Sequence, residues 1–227
     1  MKKTSLILCL SLFCLKVQAQ NSAKNNLGTW YMLNGSHKIS DKIALKTMAH
    51  FRYFEIANAF QQEIYRLGVN YAFNPKVNVT LGSSYATADL VYNAPSNNLY
   101  EYRFYEDLNV KSKWGRFIGK HRFRLEHRFI HKNSTQDVTQ SWIRYNLNVA
   151  YPLSKKWSAY AFNELFLNLD RGKRYAQNWT GAGFLHNLNS NLKLKVGYFH
   201  IKLPTNTIKR LQLGVILNTN HTKKLNI

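Results

Sequence analysis

The sequence predicts an all-β fold: a transmembrane, antiparallel, up-and-down β-barrel of ten to twelve strands, with twelve slightly preferred. Three observations carry the prediction. Apolar residues recur with a period of about two rather than 3.6. The segments that show it run longer than the roughly five or six residues usual in soluble strands. The joints between them alternate between tight turns and longer loops, the asymmetry of a barrel with one short rim and one long one. Beyond the first twenty residues nothing approaches the ~18 uninterrupted apolar residues of a spanning helix, which excludes a helical transporter. A hydrophobic fraction of 45% over 227 residues excludes a disordered chain.

Residues 1–19 read as a secretory signal peptide ahead of a barrel domain over 20–227. Lys2 and Lys3 give a charged start, Ser5 to Leu15 an apolar run, and Val17-Gln18-Ala19 a small-residue cleavage pattern. Cys9 and Cys14 follow Phe or Leu where a lipoprotein signal needs a small residue, so both leave with the peptide. The chain from Gln20 then carries no thiol, which excludes disulfides, thiolate metal sites and cysteine nucleophiles.

The first predicted strand is Gly28–His37. In Ile43–Phe54 the residues Ile43, Leu45, Thr47, Ala49, Phe51 and Tyr53 share one face against Lys46, His50 and Arg52. Gln61–Phe73 sets Tyr65, Leu67, Val69 and Tyr71 against Gln62, Arg66, Gly68 and Asn70, and the strand from Val77 to Tyr85 repeats the scheme with Asn78, Thr80, Gly82 and Ser84. Leu99–Val110, Phe117–Ile130, Ser141–Tyr151, Trp157–Leu169, Trp179–Leu188, Leu192–Ile201 and Ile208–Asn218 follow. These make eleven legible strands, and because single-chain bacterial barrels use even numbers, a further strand near Asn21–Leu33 or a first segment outside the wall is expected. Trp30, Tyr53, Tyr71, Trp142, Tyr151 and Trp157 near strand ends suit aromatic girdles at a lipid headgroup layer. The alternative is a soluble periplasmic β-sandwich that binds a ligand, which strand length and loop asymmetry disfavour.

Lys and Arg outnumber Asp and Glu by 32 to 11. Export argues against nucleic acid as the partner of that excess. Basic residues at the rims (Lys42, Lys76, Lys111, Lys113, Lys155, Lys156, Arg171, Lys173, Arg174) point instead to outer-membrane lipids and lipopolysaccharide phosphates, with the chain a monomer in the cell outer membrane. The inward faces of the strands from Leu99 to Leu169 hold Glu101, Arg103, Asp107, Arg122, Glu126, Arg128, Arg144 and Glu164. Choosing registers that keep like charges apart places Glu101 opposite Arg128, Arg103 opposite Glu126, and Asp107 opposite Arg122. It also places Arg144 between Glu126 and Glu164, a ladder alternating in sign across four strands. Arginine suits such a ladder because its planar fork satisfies buried carboxylates. Carboxylates so paired stay ionised and make poor general acids. Arg52, Arg66, Lys120 and Arg124 would leave the lumen net positive, the character of an anion-selective constriction. The expected role is thus structural or interactive, or that of a narrow pore.

No phosphate-binding glycine loop or dinucleotide fingerprint occurs, and no cofactor, metal or catalytic centre is expected. His121, His127 and His131 lie on the outward face of one strand, where four residues span roughly 13 Å, too far to share a metal. His127 and Ser141 face outward near each other, the one hint of a lipid-modifying hydrolase; no acidic residue completes a triad.

Gly28-Thr29-Trp30-Tyr31, Phe51-Arg52-Tyr53, the run Tyr65 to Tyr71, Glu101-Tyr102-Arg103, and above all His121 to Phe129 resemble the family labelled domain of unknown function 2490. The resemblance covers the whole chain after the signal. It implies an exported outer-membrane barrel without an established activity, and it supplies no catalytic residues. One departure from many outer-membrane barrels is the final Lys223-Lys224-Leu225-Asn226-Ile227, which lacks a terminal aromatic residue.

Overall fold

The computed structural model describes residues 27–89, 92, 98–132, 135–170 and 172–222. The proposed signal peptide, both cysteines, Arg171 and the Lys223 to Ile227 end lie outside them. Eleven strands follow one another: β1 Gly28–Lys38, β2 Ile43–Tyr53, β3 Phe60–Ala72, β4 Val77–Asp89, β5 Asn98–Trp114, β6 Phe117–Lys132, β7 Thr135–Pro152, β8 Trp157–Asn168, β9 Tyr175–Asn187, β10 Leu192–Lys202 and β11 Thr207–Asn220. They close into one barrel, not a sandwich.

Every neighbouring pair is antiparallel except the last joint, where β1 and β11 run parallel from Gly28 beside Arg210 to Lys38 beside Asn220. The preference for twelve is corrected here. An odd number of up-and-down strands leaves the first and last pointing the same way, so among the described residues a parallel seam closes the wall with these eleven strands.

Five tight turns share one rim. In four of them a short polar side chain folds back onto the next backbone N–H groups, the local bonding that makes Ser and Asn turn formers. Ser40 accepts from Ile43, Asn74 from Lys76 and Val77, Ser154 from Trp157, and Asn189 from Asn191 and Leu192. The fifth, Gly115-Arg116, joins β5 to β6 in two residues, with Gly115 at a φ of 56° that only glycine takes easily. The other rim carries the three longest connections, after β2, β4 and β8, whereas β6 and β7 are separated there by only two residues because both strands run on past the expected loop. All three register irregularities, at Arg52/Tyr53, Ile130/Lys132 and Phe166/Leu167, lie toward this rim.

The outer wall is apolar and exposed: Leu67, Leu81, Phe104, Phe184 and Val196 each keep more than half their surface open. One row of cross-strand partners runs Leu45, Val69, Leu81, Glu106, Leu125, Ile143, Leu167, aliphatic at every place but Glu106. Two of the residues assigned to the aromatic girdles are inside instead. Trp30 is 3% exposed, and Trp142 lies under the Arg128 guanidinium. Each shares its parity with inward residues, Met32 and Arg144, so the pleat turns it away from the outer face.

Two fillings divide the interior. Trp30, Phe199 and Ile201, with Met32, Phe162, Trp179, Leu203 and Ile208 against them, form an aromatic half built from β1 and β8 to β11. The half built from β5 to β8 is ionic. Glycine pairs make room for tyrosines: Gly68 and Gly82 are direct partners, and a Cβ on either would stand 2.5 Å from the Tyr105 hydroxyl. Tyr160 uses the Gly183 and Gly197 pair in the same way and donates to Gln212 Oε1 at 3.1 Å.

Candidate functional site

The ionic half is centred on Glu126, whose side chain is wholly buried. Arg144 Nη1 donates to its two oxygens at 3.0 and 3.3 Å, and Arg66, Arg103 and Arg124 stand 3.6, 3.7 and 3.8 Å away. Glu101 is held by Arg103 at 2.6 Å and by both ends of the Arg128 fork. Asp107 receives the Arg124 fork at 2.6 and 2.7 Å. Glu164 takes Arg144 at 2.7 and 2.9 Å, Arg122 at 2.6 Å and Asn146 at 3.3 Å. Four carboxylates thus meet six arginines, and the cluster is net positive.

Arg52 reaches across from β2, donating to Gln62 at 2.7 Å and lying 3.6 Å over the Trp30 ring, so the two halves touch. Arg144 does the same from the ionic side, 4.1 Å over Phe166. Stacking covers the flat face of a guanidinium while leaving its in-plane N–H groups free to donate.

The registers read from charge are corrected by two residues at each of the three hairpins. Tyr105, not Arg103, stands opposite Glu126, and Arg124 stands opposite Asp107. Trp142 faces Glu126, and Asn146 faces Glu164. Like charges are direct partners at Arg103 with Arg128 and at Arg124 with Arg144. The first displacement comes from the turn, which centres on Gly115 and Arg116 rather than Trp114 and Gly115. The charges tolerate it because an arginine side chain is long enough to reach a carboxylate on the diagonal. The contacts of Glu101 with Arg128, Arg103 with Glu126, and Arg144 with Glu126 and Glu164 are therefore oblique. Asp107 binds Arg124, while Arg122 goes to Glu164.

One cavity of about 940 Å³ occupies the lumen, lined from Gln61, Gln177 and Leu203 toward the long-loop rim to Lys111 and Asn218 toward the short-turn rim. Arg52, Arg66 and Lys120 line it with the arginines of the cluster. Lys111, assigned to a rim from the sequence, turns into this cavity because β5 continues to Trp114. Sequence reasoning also passed over Lys195, which lines the same space 4.7 Å over the Tyr160 ring. Its strand parity with the inward Phe199 and Ile201 was the available signal.

On the outer wall His127 and Ser141 are direct cross-strand partners, with Nδ1 and Oγ 3.1 Å apart. The nearby carboxylate of Asp170 accepts the backbone N–H of Ser141 at 2.8 Å instead of orienting His127. His131 meets Asp137 at 2.5 Å, and His121 sits between Ser112 and Tyr145 at 3.1 and 2.9 Å. Among the described residues no three potential metal ligands converge.

No curated protein is significantly similar to the chain. Among solved structures it is similar to LpxR from Salmonella typhimurium, at a TM-score of 0.41 and 9% identity over 77% of this chain and 83% of that one. Residues 27–212 match the model of the family described as "Protein of unknown function (DUF2490)", and the chain belongs to that family.

Proposed function

We propose that the protein is an exported, integral outer-membrane β-barrel whose arginine-rich lumen gives small anions a narrow path. The lumen cavity of about 940 Å³, reaching from one rim's residues to the other's past a net-positive cluster, is the observation that carries this reading. An exposed apolar wall on a closed barrel supports the lipid setting, since closure leaves no unpaired sheet edge in hydrocarbon. By the usual asymmetry the short turns face the periplasm. Purified, folded protein in a planar bilayer should conduct, with a reversal potential in a salt gradient that favours the anion. Absence of conductance from protein with heat-modifiable gel mobility overturns the pore.

The contact between His127 and Ser141 favours a second reading, a lipid-modifying hydrolase acting at the outer wall. Phospholipid or lipopolysaccharide turnover lost on His127→Ala supports it, and turnover unchanged by that substitution dismisses it.

A further inference from the structure

Toward the short-turn rim the lumen changes character. Lys46 from β2, Lys111 from β5, Lys120 from β6 and Lys195 from β10 converge on one end of the cavity. Lys111 and Lys120 are direct cross-strand partners on the inward face, an arrangement that like charge disfavours. Lys46 is repelled by both, and Lys195 by Lys120.

Compensation within the chain is slight. Lys46 Nζ donates to Ser36 Oγ at 2.7 Å. Lys195 rests on Tyr160 and feels Glu164, a carboxylate already held by Arg122 and Arg144. Among the described residues the ammonium groups of Lys111 and Lys120 have no hydrogen-bond or ion-pair partner. Amides complete the wall. Asn78 Oδ1 accepts from Asn70 at 2.6 Å and Asn109 at 3.1 Å, which leaves its own N–H groups to donate, and Asn148 stands directly opposite Lys120.

The central cluster answers its arginines with carboxylates; this end answers its lysines with neutral donors. Repelling cations among amide donors are relieved only by something that brings negative charge and several acceptor oxygens. We propose that this lysine and asparagine vestibule binds a small, multiply charged anion of the phosphate class that enters from the short-turn rim. The assignment deepens, and rests on, the reading of the lumen as an anion path.

Calorimetric titration of pyrophosphate into the full-length folded barrel in detergent, at low ionic strength, tests it. Saturable binding, displaced by inorganic phosphate but not by chloride at equal ionic strength, is the expected result. The Lys111→Gln/Lys120→Gln double variant should bind about tenfold or more weakly, since each ammonium supplies charge-assisted hydrogen bonds. The double variant should also melt no lower than wild type in the absence of anion, because the substitution removes a repulsion. No binding by wild type, equal affinity in the variant, or a variant destabilised without anion each overturns the site. Binding without bilayer conductance upholds the site and removes the pore; conductance without binding does the reverse.

Discussion

The two halves of the barrel interior solve one problem by different physics. Around Trp30, Trp179 and Phe199 the lumen is filled by rings in edge and tilted contact, with centroids 4.7 to 6.1 Å apart. Such packing is tolerant of direction and fills volume. Around Glu126 the filling is four carboxylates and six arginines, each bond dependent on angle and each charge dependent on its neighbour. Removing one member from the first half leaves a hole; removing one from the second leaves a stranded charge.

That contrast can be broken by measurement. Arg144→Ala should cost most, about 3–5 kcal/mol of unfolding free energy in lipid vesicles, because Glu126 and Glu164 lose their shared partner. Phe199→Ala should cost about 3 kcal/mol as a buried cavity, with little dependence on salt. If Arg144→Ala proves the milder of the two, the ionic half is packing and not pairing. A double-mutant cycle on Asp107→Asn and Arg124→Gln should return a coupling of about 2 kcal/mol, and additivity would mean the fork contact carries no energy. Smallest, Glu106→Leu should stabilise the barrel in lipid by about 1 kcal/mol, since it completes the outward aliphatic row. No gain there argues that the row does not face hydrocarbon.

Much of the wall was legible because alternation is a property of the pleat. Ile43–Phe54 and β2 differ by a single residue at one end. The extensions of β5 to Trp114 and of β7 back to Thr135 were not legible, since their outward positions (Ser112, Thr139) are too polar to mark a face. Strand parity was legible for the arginines and was overlooked for Trp30 and Trp142, where a preference for rings at strand ends competed with it. Register was the least legible quantity. It is set by the turn, and at Gly115 a positive φ moves the centre of the turn one position along, which shifts every partner by two. Charge avoidance chose otherwise because it counted opposition between Cα positions, whereas arginines find their carboxylates from their tips.

The parallel joint between β1 and β11 has a topological consequence for anyone who would cut the polypeptide elsewhere. Gly28 and Asn220 stand at opposite mouths of the cylinder, so a linker joining these two positions would have to run the length of the wall, as it would not in a barrel whose first and last strands are antiparallel. The slanted bonds of that joint are also slightly weaker per residue than the other ten interfaces, so an unzipping wall would start there.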